Sequence, residues 1–230
     1  MLFKKIKQLS IRDVIRYFFS LPNTIYFNFH YFPLKIAIRL PVIVSSKTKL
    51  ANMGGQIILN CDEPAKTGMV RIGFGNVGIF DYNFSRTIWE NDGCVVFGGG
   101  ANVCHGCKIS CGTSGVLTFG KNFTCTAESQ FVCVDRITFG DDCLISWENL
   151  IMDTDWHQVI TNKKKVNHAP INIGNHVWVG CRCTILKGVD IPDNSIVAAG
   201  SIVTKRFLNA NSLIAGNDAK QVDTDIDWQP

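Results

Sequence analysis

The stretch I-G-N-H-V-W from Ile173, V-G-C-R-C-T from Val179, I-L-K-G-V-D from Ile185, I-P-D-N-S-I from Ile191 and V-A-A-G-S-I from Val197 repeats a six-residue unit without a gap, and Val203 opens the next unit. Every unit begins with Ile or Val. A branched aliphatic residue at fixed spacing suits a short strand that turns one side chain inward, and the Gly, Asn and Asp within the units suit the turns between strands. The period excludes a helix, because six residues do not return to one face of a 3.6-residue turn. Short strands repeated in this way make a solenoid, whose stacked units bury a core that none could bury alone.

The same frame extends upstream through Phe139, Ile145 and Ile151, through Phe119, Cys125 and Phe131, and through Phe97, Val103 and Ile109, with Ile72-Gly73 marking an earlier coil. Offsets between these blocks read as small insertions at the corners. The frame predicts Ile185, Ile191 and Val197 in stacked inward columns, with Asp193 and Asn194 at a solvent-facing turn. It divides the chain into an N-terminal extension over residues 1–49, a repeat domain over 50–207 with a loop at about 158–170, and a tail over 208–230.

In the extension, Ile6, Leu9, Val14 and Phe18 fall at helical spacings, which predicts a helix from Leu2 to Phe19 stopped by Ser20-Leu21-Pro22. Thr24 to Ser45 reads as an irregular, aromatic-rich cover. The helix has two readings: a cap over strand edges at the open end of the solenoid, or a peripheral contact with an anionic membrane surface. With 230 residues, 46% of them hydrophobic and 18% charged, the chain is long enough for a sizeable core. Its net charge of +4 is too mild for duplex nucleic acid as main partner. Pro22, Asn23, Asn28, His30, Pro33, Lys35 and Arg39 interrupt the apolar stretch after Tyr17, so neither a transmembrane helix nor a secretory signal is expected. That places the chain in the cytoplasm, with the inner face of the membrane as the site of any membrane contact.

The tract from Val177 to Lys205 and the A-G-N-D-A-K motif from Ala215 to Lys220 resemble the hexapeptide-repeat, or left-handed β-helix, acyltransferase family, in its sugar O-acetyltransferase branch of capsule and lipopolysaccharide type. The resemblance covers residues 50 to 220. It implies an all-β solenoid, a left-handed parallel β-helix with three hexads per coil, and an N-terminal helical extension. It implies acetyl-coenzyme A as co-substrate, a sugar or lipid-linked sugar acceptor, a homotrimer with sites between subunits, and a place in surface polysaccharide biosynthesis. Asp218 stands where the family's G-N-P-A-K motif has Pro. The resemblance makes Trp178, Gly180, Ala198, Ala199, Gly200, Lys205, Asn217 and Lys220 the cofactor-binding candidates: small residues leave room for an extended pantetheine arm, and Lys offsets phosphate charge.

In the frame of Phe139, Ile145 and Ile151, position 157 calls for an inward aliphatic residue and holds His. His157 at the base of a loop resembles the general base of sugar O-acetyltransferases, and imidazole, with an ordinary pKa near 6.5, accepts a hydroxyl proton near neutrality. Asp155 or Asp153 would orient it. The run Lys163-Lys164-Lys165 would meet phosphate or simply face solvent. Ten Cys, several at repeat positions that want small residues, read as free thiols, with no metal site expected. Two alternatives stay open: a non-catalytic β-helix that binds or scaffolds, and an acetyltransferase with a non-sugar acceptor.

Overall fold

The computed structural model describes residues 11–61, 64–158, 160 and 166–229. Among them the chain enters its first strand at Val42, visits three sheets in rotation as far as Ile202–Val203, and then returns to the first sheet for its last two strands. Face 1 has nine strands, from Val42–Val44 to Lys220–Asp223; face 2 has seven, from Lys49–Asn52 to Ile202–Val203; face 3 has six, from Gln56–Leu59 to Asp190–Ile191. All pairings are parallel except the last, where Leu213–Ala215 meets Lys220–Asp223 antiparallel. The result is the left-handed parallel β-helix of hexapeptide repeats.

Register stacks the hexad anchors into columns. Cys125, Ile145, Val179, Val197 and Ile214 follow one another on face 1. Ile151, Ile185 and Val203 do so on face 2, and Phe139, Ile173 and Ile191 on face 3. Ile185, Ile191 and Val197 are buried and Asp193 is exposed, as the frame predicts. Phe119 stacks between Phe97 and Phe139 at 5.4 and 5.7 Å. The thiols behave as small core groups: Cys107 and Cys125 touch at 3.5 Å, and burial pushes the Cys104 thiol up to about 12.

Eight corners share one backbone solution. There the third residue after an inward anchor takes positive φ: Glu128, Glu148, Arg182 and Gly200 between faces 1 and 2, and Asn122, Asp142, His176 and Asn194 between faces 3 and 1. Gly and Asn tolerate this region readily. Gly180 answers to a different constraint, since a Cβ there would meet the Ala199 backbone nitrogen of the next coil at 2.6 Å.

The extension departs from expectation. Residues 2–10 lie outside the described part, and helix α1 (Ile11–Tyr31) runs straight past Ser20-Leu21-Pro22, with Pro22 inside it. Proline costs a helix one N–H and some crowding. Tertiary anchoring overrides that penalty here. Thr24 Oγ1 accepts from Val44 N and donates to Val44 O, while the Asn28 side chain accepts from Val42 N at 3.2 Å and donates to Val42 O at 2.6 Å. Two side chains one helical turn apart thus take the place of a neighbouring strand along the edge of Val42–Val44. Phe27 wedges against Trp89 at 5.2 Å, and the short helix α2 (Leu34–Ala37) follows. The helix is a cap on the open end.

Asn28→Ala would leave the buried N–H and C=O of Val42 without partners, a loss of about 1–3 kcal/mol for each group. A clear fall in the urea midpoint, with far-ultraviolet circular dichroism otherwise unchanged, is the expected result.

Candidate active site

The two groups of candidate residues occupy different corners. Between faces 1 and 2, Ser146-Trp147, Gly180-Cys181 and Ala198-Ala199 from successive coils, together with Trp178, Ile196 and Leu213 on face 1, line a groove of about 410 Å³. Trp178, Gly180, Ala198 and Ala199 therefore come together. The Trp178 indole is held by donating to Ser146 Oγ at 3.1 Å. Gly200 lies on the same corner at φ 74°. Asn217 and Lys220 sit where the chain turns back beside the last face 1 strand, both exposed. Lys205 lies beyond face 2, where its ammonium is 3.6 Å from Asp218, whose other oxygen accepts from Thr204 Oγ1. The Asp that replaces the expected Pro is thus tied to this end of the chain by polar contacts.

The corner between faces 2 and 3 carries His157. The strand Leu150–Met152 ends its ladder there, and the chain rejoins face 3 only at Ile171. His157 is exposed, so the period-six frame does not carry it into the core. The loop is pinned at its base by the Thr154–His168 bridge and by Asp155 N and Ala169 N donating to Asn167 O and Asp153 O. Lys163-Lys164-Lys165 lies outside the described residues.

Neither candidate carboxylate reaches the His157 ring. Asp153 is fully buried and accepts from Val134 N and Asp135 N, both at 2.9 Å, which fixes the turn of the coil below. Asp155 pairs with Lys187, and its carbonyl accepts the His157 backbone N–H at 2.6 Å. A carboxylate–imidazole pair does occur on the loop, at its other end: His168 Nδ1 lies 3.1 Å from Asp135 Oδ2, with both side chains partly exposed. Sequence spacing gave no hint of that pair, because 33 residues separate its members. His105 is enclosed, with the Tyr82 ring 4.1 Å away, and burial lowers its pKa, so it has no access to a substrate. Trp228 of the tail is a further addition. It stacks on His176 at 4.5 Å and donates to the His176 carbonyl, closing the end of a second groove on face 1.

Outward residues differ between faces. Face 3 shows a polar row of Thr118, Thr138, Asn172 and Asp190. Face 1 instead shows Leu144, Trp178, Ile196 and Leu213 in register, and face 2 shows Met152 beside Leu186. Apolar outward rows on two faces mark them for contact with something other than water.

Fold and repeat together define a hexapeptide-repeat protein of the parallel β-helix type. Residues 170–205 match the family model described as the hexapeptide repeat of succinyl-transferase. The chain is 39% identical over 92 residues to galactoside O-acetyltransferase of Escherichia coli K12, a match covering 39% of this chain and 45% of that enzyme. It is 26% identical over 195 residues to a 24.8 kDa protein from the cps region of Klebsiella pneumoniae, covering 85% and 84%. Among solved structures, galactoside acetyltransferase in complex with coenzyme A superposes with a TM-score of 0.44 at 23% identity, covering 90% of this chain and 80% of that one. The matched region spans about half the length of the galactoside enzyme.

Asp153→Asn would set an amide NH2 against one of two backbone donors, lowering stability by about 1–3 kcal/mol. Asp155→Asn, whose Lys187 partner is part-exposed, should cost no more than about 1 kcal/mol. Urea unfolding of the two variants side by side checks the difference.

Proposed function

We propose that the protein transfers an acetyl group from acetyl-coenzyme A to a sugar hydroxyl, with His157 as general base and the groove along Trp178, Gly180, Ala198 and Ala199 holding the pantetheine arm. The observation that carries this reading is the division of the candidate residues between two corners. In one chain all of face 2 separates His157 from the groove, so the two meet only when a second copy brings its His157 corner to the first copy's groove. The apolar outward rows of faces 1 and 2 supply surface for such contacts, and closed threefold assembly uses both faces of every subunit.

In this arrangement the His157 imidazole takes the proton of the acceptor hydroxyl as its oxygen attacks the thioester carbonyl. The C–S bond breaks as the tetrahedral intermediate collapses, and the thiolate leaves with the proton. Two substrates held together account for much of the rate, and a corner N–H aimed at the oxyanion would add to it. Gly200, Lys205, Asn217 and Lys220 complete the cofactor side, the Lys residues serving the phosphates. Asp155 holds the His157 backbone, while Asp153 acts through the loop base. The names of the relatives support a sugar acceptor, and a role in surface polysaccharide synthesis on the cytoplasmic side follows from that choice.

The His168–Asp135 pair favours a second assignment of the base within the same reaction. His157→Ala should lower transfer to a sugar acceptor by about a hundred- to ten-thousand-fold with coenzyme A affinity kept, and His168→Ala should lower it far less. The reverse result would hand the role to His168. Co-expressing His157→Ala with the groove-filling Ala199→Trp should restore roughly a quarter of wild-type turnover, because only mixed interfaces pair an intact His157 with an intact groove. No recovery in verified mixed oligomers would place both halves of the site in one subunit.

The half-exposed Cys181 lines the groove and offers a probe independent of turnover. Saturating coenzyme A should slow its alkylation at least about tenfold while leaving Cys61 and Cys94 unaffected, as read by peptide mass spectrometry.

A further inference from the structure

Helix α1 is built inside out. Its polar side chains face the prism: Arg16 donates to Gly73 O at 2.9 Å, Asn23 to Ser45 O at 3.0 Å, and Thr24 and Asn28 hold the strand edge. Its apolar side chains face outward. Ile11, Val14, Phe18, Leu21, Ile25 and Phe29 are all exposed and recur at steps of three and four that keep them on one stripe, with Phe19 exposed beside Phe18, the two by 64% and 67%. Leu34 and Ile38 continue the exposed apolar surface past the end of the helix. A helix that only capped the prism would turn charged residues to water. This stripe requires an apolar partner.

The charge around it says which one. Residues 1–52 contain nine Lys and Arg against a single acidic residue, Asp13, whereas the whole chain carries 23 against 19. The remainder is therefore net acidic, and among the described residues Arg16, Lys35, Arg39, Lys47 and Lys49 lie on or next to the capped end. Lys35 and Arg39 are exposed beside Leu34 and Ile38. A second copy meeting this face would bring two basic rims together. Among the described residues, no helix is long and apolar enough to cross a membrane. We propose that the outer stripe of α1 docks on an anionic lipid bilayer, with the helix lying in the interface, its Phe and Ile residues among the acyl chains and the surrounding Lys and Arg on the headgroups. The capped end of the prism then rests on the membrane, and the repeat axis leads away from it. This docking stands apart from the transfer reaction and holds whatever the acceptor is.

The test is flotation of the full chain with vesicles of phosphatidylcholine, alone and mixed with phosphatidylglycerol. The protein should float with the mixed vesicles, bind phosphatidylcholine at least about tenfold more weakly, and come off the mixed vesicles as salt is raised. Phe18→Ser with Phe19→Ser should weaken binding to mixed vesicles by more than about tenfold. Both positions point away from the prism, so an unchanged thermal melt is expected, and Ile11→Ser with Val14→Ser provides a second variant. Failure of the wild type to bind mixed vesicles would overturn the proposal. So would equal binding by wild type and folded variants, or a change of oligomeric state in the variants with vesicle binding intact, which would put another copy of the chain on this face.

Discussion

Each flat strand in this molecule directs its N–H and C=O groups along the prism axis, so a coil's backbone is completed only by the coils above and below it. Leu150 N bonds to Cys183 O and Thr184 N to Ser201 O, each at 2.9 Å, and the pattern recurs down all three faces. A ladder of this kind fixes register rigidly, because a slip of one residue would exchange every inward side chain for an outward one. It leaves the corners as the place where extra residues can go. The stretch 153–170 is such an insertion, and both His157 and the His168–Asp135 pair lie on it or at its base.

Corner chemistry is correspondingly layered. Equivalent corner residues from successive coils stack, which brings Arg182 within 2.7 Å of Glu148. Exposed pairs of this type add little stability. They do set charge along the rim of the prism. Where the stacked corner residues are small instead, as at Gly180, Ala198 and Ala199, the same stacking leaves a groove. One geometric rule thus produces either a charged rim or a binding surface, depending on which residues occupy the corner.

The repeat was legible because its inward anchors are chemically uniform and its period is incompatible with a helix. Corner positions were legible where Gly188, Asn194 and Gly200 take positive φ, and illegible where His176 and Arg182 do the same work without the usual composition. The groove was readable from its small residues, although Gly180 also answers to the backbone of the next coil. Three things escaped the sequence. Helix α1 continues through Pro22 because Thr24 and Asn28 find partners on Val42–Val44, a tertiary gain that local propensity does not contain. Asp153 looked like a partner for its neighbour in sequence but serves the coil below, and Trp228 packs on His176 from 52 residues away. Stacking distance in a solenoid is a full coil, whereas spacing arguments reach only a few residues.

The ends of the ladder bear on how large the object can become. A parallel β-helix with bare terminal coils would present matching donors and acceptors at its two extremities and would polymerise end to end into a filament. On face 1, the amide of Asn28 and the hydroxyl of Thr24 consume those groups at one extremity; at the other, Lys220–Asp223 folds back antiparallel onto Leu213–Ala215, a direction no incoming parallel coil can extend in register. Growth along face 1 is therefore terminated by two unrelated devices, one a pair of side chains and the other a reversal of the chain. Removing either would expose a nucleating edge, and the sequence would then encode a fibre instead of a particle of fixed length.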